Sequence, residues 1–228
     1  MYIIMKKYDM VIFDVDGTLL DTTEGILSSV KYTIDKCGFD QLDEEVIKTF
    51  IGPPIKESFL KAYGIDNDVA NKLTMIFRDR YKDVDLLKAV PYDGILDVFD
   101  SIKMLAMKSA VATYKRQDYA ESIIKHFGFG EYTNIIFGAD NDNKMKKKDI
   151  IENCIAVSGI NDYKRVLMIG DSDNDAIGAN QIGIDFLGVT YGFGFSTKEE
   201  IYAHGAVYAA DNAYEIKSYI ERGENNED

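Results

Sequence analysis

Short apolar runs punctuate this chain and end abruptly in polar turns. Met10–Phe13, Ala110–Thr113, Asn134–Phe137, Val166–Ile169 and Phe186–Val189 are each too short for a helix and read as strands. Their apolar positions run on rather than alternate, the pattern of strands covered on both faces. Between them, apolar residues recur at helical spacing. Ile95, Leu96, Phe99, Ile102 and Leu105 share one face, as do Ala120, Ile123, Ile124 and Phe127, and again Ile150, Ile151, Cys154 and Ile155. Strands alternating with such helices predict an α/β domain, a doubly wound parallel sheet with helices on both faces.

From Asp21 to about Lys88 the strand rhythm stops. Asp21 and Glu24 have the spacing of a capping box for a helix carrying Ile26, Leu27, Val30 and Ile34, ended by Gly38. A short helix follows with Val46, Ile47 and Phe50, and then the breaker Gly52-Pro53-Pro54. A third helix carries Ile55, Phe59, Leu60 and Tyr63 up to Gly64, and a fourth carries Val69, Leu73, Ile76, Phe77 and Val84. Pro91-Tyr92-Asp93-Gly94 marks the return to the sheet. The expected organisation is a core of residues 1–20 and 89–228, with a small helical domain, 21–88, inserted after the first strand.

Charge narrows the possible partners. Lys and Arg number 26 against 39 Asp and Glu, a formal charge of -13 over 228 residues. That argues against a nucleic-acid polymer or an anionic membrane as partner. No apolar run approaches membrane-spanning length. Cys37 and Cys154 follow no metal-ligand spacing and suggest no disulfide framework, so a reducing cytoplasm is expected. The first residues, Met1 to Lys7, run from apolar to basic, the reverse of a secretory leader.

The chemistry concentrates at strand ends. Asp14-Val15-Asp16-Gly17-Thr18 follows the first strand directly. Two carboxylates at i and i+2 allow one to attack an electrophile while the other handles a proton. A lone Asp-Gly turn would be commonplace, but a buried strand before it and a second acid within it are not. A second acidic turn, Gly170-Asp171-Ser172-Asp173-Asn174-Asp175, follows the fourth strand. Asp171 and Asp175 can converge on a hard cation such as Mg²⁺. A helix-loop-helix calcium site would need Gly and Glu where this chain has Ala176 and Ile182. Asp173 reads as an acid at a helix N-terminus. Thr113 ends the second strand and offers a hydroxyl. One lysine of the run Lys144 to Lys148 is available to neutralise an anion. Asp14, Thr113 and Asp171 all fall at carboxyl ends of strands, the edge where open parallel sheets bind ligands. Together these elements predict metal-assisted phosphoryl transfer.

In these four elements the chain resembles the haloacid dehalogenase superfamily. Asp14 to Thr18 looks like its nucleophile motif, Thr113 like its hydroxyl motif, and a lysine of the basic run like its third motif. Gly170 to Asp175 looks like its acidic metal motif. Ile51 to Pro54, Ile177-Gly178-Ala179 and Gly188 to Gly194 are most similar to the phosphoglycolate phosphatase branch, which carries a helical cap. The resemblance implies a Rossmann-like core of strand order 5-4-1-2-3. It implies Asp14 as nucleophile, Asp16 as acid and base, and Thr113 and Lys147 as ligands of the transferring phosphoryl group. It also implies Mg²⁺ held by Asp14, the main-chain carbonyl of Asp16, and Asp171, with Asp175 in support. Lys147 fits the family's spacing better than Lys148 or Lys144. Tyr114 stands where the family often has Asn.

The implied activity is hydrolysis of a small phosphomonoester, of phosphoglycolate or nucleoside monophosphate type, by a monomer or homodimer. Dehalogenases of the superfamily lack an acid at the position of Asp16, so carbon–halogen hydrolysis is not expected. A sugar phosphomutase shares every motif and remains the enzymatic alternative, and a non-catalytic phosphate-binding regulator the other. The segment Gly52 to Lys56 is either a plain turn or part of what selects the substrate. Gly192 to Phe195 is either a turn after the fifth strand or a border of the site.

Overall fold

A computed structural model of the protein describes residues 6–140 and 145–222. The chain divides into two compact units, residues 1–20 with 91–228, and residues 21–90.

The first unit is built on a six-stranded parallel sheet. Its strands are β1 (Met10–Phe13), β4 (Lys108–Arg116), β5 (Ile136–Ala139), β6 (Val166–Gly170), β7 (Asp185–Val189) and β8 (Tyr208–Ala210). Two short strands, β2 (Leu20–Asp21) and β3 (Val90–Pro91), form a separate two-stranded sheet where the chain leaves the unit and returns. Helices α1 to α4 lie between β2 and β3 and belong to the second unit. In the first unit α5 (Ile95–Met104) precedes β4, α6 (Gln117–His126) precedes β5, and α7 (Lys147–Ser158) precedes β6. Then α8 (Asp173–Ile182), α9 (Lys198–Ala203) and α10 (Ala213–Arg222) complete it.

The sheet order is β5-β4-β1-β6-β7-β8. Numbered as the five strands read from sequence, this is the expected 5-4-1-2-3, with β8 added beyond the fifth. That extra strand escapes sequence reading because Tyr208-Ala209-Ala210 is short and its side chains are mostly small. Alternate residues of β1 face opposite layers. Met10 and Ile12 pack with Ile150, Ile151 and Cys154 of α7. On the other face Phe13 stacks on Phe99 of α5, ring centroids 4.7 Å apart. All four β1 side chains are fully buried, as a continuous apolar run requires.

One sequence expectation is corrected here. Thr113 does not end its strand, because β4 runs on to Arg116 and α6 begins at the next residue. Pairing with β5 shifts register between Ala112 and Arg116. The irregularity lets polar residues continue a strand whose apolar stretch has already ended.

The second unit is helical: α1 (Thr23–Cys37), α2 (Glu44–Lys48), α3 (Ile55–Tyr63), α4 (Asn67–Arg80) and a π-helical turn at Tyr81–Asp85. Gly38 and Gly64 end α1 and α3 in left-handed conformation, as their positions suggest. Phe50 and Phe59 meet edge to face at 5.0 Å, and Phe77 stacks on Tyr81 at 5.5 Å. The expected Asp21–Glu24 capping box is absent. Asp21 lies in β2, one residue before the N-cap Thr22, and its Oδ1 accepts the Thr23 N–H at 2.9 Å. Asp85 is fully buried. It receives Arg80 Nε at 2.8 Å, Lys88 Nζ at 2.9 Å, and the hydroxyls of Ser28 and Ser29 at 3.1 and 2.9 Å. Burial alone would raise its pKa, but these donors outweigh burial and hold it below the ordinary carboxylate value.

Candidate active site

Register brings the acidic turns together. Phe13 of β1 pairs with Ile169 of β6, and the ladder continues one step further as the Asp14 N–H donates to the Ile169 carbonyl at 3.0 Å. Asp14 and Asp171 therefore leave two adjacent parallel strands side by side. From β1 the chain winds outward through β4 and β5, then returns to β6 and winds the other way. The boundary between β1 and β6 is thus the topological switch point, where open α/β sheets form their ligand crevice.

Asp175 joins them from α8. Ser172 is the N-cap, and its N–H and hydroxyl donate to Asp175 Oδ2 at 3.2 and 2.7 Å. This capping arrangement fixes the Asp175 carboxyl group and leaves Oδ1 facing inward. Asp14, Asp171 and Asp175 each offer an oxygen within 4.8 Å of the others. Asp173 lies exposed in the first turn of α8, as an acid at a helix N-terminus is expected to.

Lys147 is the lysine of the basic run that enters this cluster. It is only 2% exposed, and its Nζ lies 2.8 Å from Asp14 Oδ1 and 2.6 Å from Asp175 Oδ1. Lys148 is half-buried, and Lys144 lies outside the described residues. Lys147 opens α7, whose first turn is braced by the Lys146 N–H donating to Asp149 Oδ2 at 2.9 Å. The Lys147 N–H donates to the Tyr114 hydroxyl at 2.9 Å, and its ammonium lies 5.4 Å from the centre of that ring. Tyr114, the departure from the family pattern, therefore helps to seat the lysine.

Charge is out of balance within the cluster. Burial, and then the neighbouring carboxylates of Asp175 and Asp14, push Asp171 up to about 8. Burial likewise pushes Asp14 up to about 6; Lys147 works against it, while Asp175 and Asp16 add to it. Burial disfavours the Lys147 ammonium, but Asp14 and Asp175 outweigh burial and hold its pKa above the ordinary lysine value. One ammonium thus faces three buried carboxylates. Asp14 Oδ1 and Asp175 Oδ1 accept no well-directed hydrogen bond among the described residues. Their distances to Lys147 still make charge pairing certain, and lone pairs remain for a cation. An all-oxygen donor set with surplus negative charge fits a hard divalent ion.

The loop after β7 closes over Asp171. The N–H groups of Phe193 and Gly194 donate to Asp171 Oδ2 at 2.7 and 3.2 Å, and the Phe195 N–H donates to the Asp171 carbonyl at 2.8 Å. Packing is close enough to demand glycine. A Cβ on Gly192 would lie 2.3 Å from Asp171 Cβ and 2.4 Å from the Gly17 carbonyl oxygen. Gly17 itself has φ +76° and its would-be Cβ meets Asp171 Oδ2 at 2.1 Å. The loop thus touches Asp171 and Gly17 directly, as a loop bordering the candidate site would.

Thr113 is fully buried two residues beyond the Phe13–Val111 pair of β1 and β4, and its Oγ1 accepts the Lys115 N–H at 3.2 Å. Asp16 does not join the three-carboxylate cluster. Its Oδ1 lies 2.9 Å from Nζ of Lys115, a residue that sequence reading passed over. A lysine in Tyr114-Lys115-Arg116 looks like the polar end of a strand, and only the continuation of β4 shows otherwise. A cavity of about 680 Å³ lies elsewhere, along edge strand β5 near Lys108, Tyr132 and Ser158, and no carboxylate lines it.

Known proteins resemble this chain over most of its length. The family model described as haloacid dehalogenase-like hydrolase matches residues 11–189. A 5'-nucleotidase of Pseudomonas aeruginosa is 33% identical over 208 residues, covering 91% of this chain and 93% of the relative. A phosphoglycolate phosphatase of Colwellia psychrerythraea is 25% identical over 226 residues, covering 96% of this chain and 99% of that protein. A solved structure described as a predicted phosphatase from Clostridium acetobutylicum is 35% identical. It superposes with a TM-score of 0.83 over 93% of this chain and 98% of that one.

Proposed function

The chain belongs to the haloacid dehalogenase-like hydrolase family, and we propose that it is a Mg²⁺-dependent phosphatase of a small phosphomonoester. Phosphoglycolate and nucleoside monophosphates head the candidate substrates, since relatives named for both chemistries span nearly the whole chain. The observation that carries the reading is the convergence of Asp14, Asp171 and Asp175 around one buried lysine at the switch point of the sheet.

In this reading Asp14 is the nucleophile that forms an aspartyl-phosphate. Asp16 gives a proton to the leaving oxygen and later takes one from water. Lys147 and Thr113 bind equatorial oxygens of the transferring group, where transition-state charge is spread. Asp14, the main-chain carbonyl of Asp16, Asp171 and Asp175 would hold Mg²⁺. When bound, the ion supplies the positive charge that lets anionic phosphate approach anionic carboxylates. The helical unit of residues 21–90 is proposed as the cap that selects substrate. A cytoplasmic setting is in keeping with two free cysteines and with the lack, among the described residues, of any helix long and apolar enough to cross a membrane.

The test is phosphate release from a panel of small phosphomonoesters, with and without Mg²⁺, for the wild type and Asp14→Asn. Mg²⁺-dependent release that falls at least about a thousandfold in Asp14→Asn is expected, because the nucleophile is gone. Wild-type rates in that variant would sink the reading.

A further inference from the structure

The proposed chemistry leaves one charged side chain beside the site without a task. The Lys115 side chain is 8% exposed and its Nζ lies 2.9 Å from Asp16 Oδ1. An ammonium largely shielded from water needs a partner, so the plainest account is an ion pair that ties β4 to the turn after β1. That tie is redundant. β1 and β4 are already joined by a parallel ladder from Met10–Lys108 to Phe13–Val111.

Placement points to the chemistry instead. The Phe13–Val111 register sends the turn of residues 14–18 and the continuation of β4 out of the sheet side by side. Three consecutive residues of that continuation then engage the site. Thr113 is the candidate phosphoryl ligand, Tyr114 seats Lys147 through its hydroxyl, and Lys115 takes the Asp16 carboxylate. The backbone of Lys115 is itself held, by donation of its N–H to Thr113 Oγ1. Asp16 is thereby drawn to an ammonium, while Asp14, Asp171 and Asp175 gather on one another.

We propose that Lys115 is a positioning residue for Asp16: its ammonium holds the Asp16 carboxyl group where it can serve the leaving-group oxygen. The inference rests on the phosphatase reading. In the first step an Asp14 oxygen bonds to phosphorus as the bond from phosphorus to the ester oxygen breaks. The electron pair stays on that oxygen, which takes the Asp16 proton and departs as an alcohol. In the second step water attacks phosphorus and gives its proton to Asp16. Inorganic phosphate and the Asp14 carboxylate are released. Both steps need the Asp16 carboxyl group in a fixed place, since proton transfer demands hydrogen-bond reach.

The experiment compares leaving groups. An alkyl phosphate must expel an alkoxide and depends on the acid, whereas p-nitrophenyl phosphate expels a stabilised anion and hardly does. kcat/KM is measured on both for wild type, Lys115→Met, Lys115→Arg, Asp16→Asn and the Asp16→Asn/Lys115→Met pair. Lys115→Met should lose about 100-fold on the alkyl ester and under about 5-fold on the nitrophenyl ester, given the usual worth of a general acid. Lys115→Arg should recover part of the alkyl loss. In the Asp16→Asn background, Lys115→Met should cost under about threefold more, because coupled residues are not additive. Equal losses on the two esters, or losses that multiply in the double variant, would overturn the proposal. If Lys115→Met fails to fold, as a thermal melt would reveal, Lys115→Gln and Lys115→Arg carry the same comparison. A wild type that releases phosphate from neither ester sinks the phosphatase reading and this inference with it. A wild type that turns over both, with equal losses in the variants, sinks only the role of Lys115.

Discussion

Asp171 sets burial against charge more directly than any other residue of the site. Its raised pKa, about 8, and that of Asp14, about 6, mean that the folded protein holds these protons more tightly than the unfolded chain does. The sign of the linkage follows. Without a cation, stability falls as pH rises from the ordinary carboxylate value of 3.8 through about 6 and then about 8. Mg²⁺ binds the ionised carboxylates, so its stabilising effect should grow across the same window. At a hundredfold excess over Kd it would add about 2.7 kcal/mol. Thermal unfolding at pH 5 and pH 8.5, with and without Mg²⁺, checks this. An increment in Tm that is larger at the higher pH is expected, and Asp171→Asn should shrink it. An increment that does not change with pH would count against the cation site. At this scale the sequence was most legible where a carboxylate directly follows an apolar run. Asp14 and Asp171 were readable for that reason. Lys115 was not, because its burial depends on a strand that continues past its own apolar stretch.

Among the elements, the sheet was readable and its margins were not. The central strands announce themselves because burial on both faces leaves only apolar choices. β8 is too short and too rich in alanine to do so, and the end of β4 is polar where it crosses the site. The loop Gly192–Phe195 held two readings because glycine serves a plain turn and a close approach equally well. Its role is a matter of distance. With Phe193 and Gly194 holding Asp171 Oδ2, the backbone of Gly192 lies where no side chain fits. Gly192→Ala must therefore displace either Asp171 or the turn at Gly17. Hydrogen-bond partners that orient a metal ligand are typically worth about 10–100-fold in affinity. Calorimetric titration with Mg²⁺ should show a loss of that order in Gly192→Ala, with the thermal melt of the metal-free protein as the control for folding. Unchanged Mg²⁺ affinity would mean that the loop merely caps the strand.

Over the whole molecule the charge is -13, and the proposed substrate is itself an anion. Two fields then act on its approach. At long range the surface repels it, and that repulsion is screened by salt. At short range the buried Lys147 and the half-buried Lys115, with a cation among the carboxylates, attract it, and groups shielded from solvent are screened far less. The Debye length falls from about 30 Å at 0.01 M salt to about 8 Å at 0.15 M. Raising salt across that range should therefore remove the repulsion and spare the attraction. The expected result is a rise in kcat/KM of about twofold to tenfold at fixed free Mg²⁺, with kcat nearly constant, since steering acts on encounter rather than on the bound complex. The direction is diagnostic, because enzymes that draw anions in through a positive surface slow down as salt rises. Potassium chloride suits the measurement, as sulfate or phosphate would compete for the site. A fall in kcat/KM would show that the local positive charge already governs approach from solvent, and that the acidic exterior lies too far from the mouth of the site to matter.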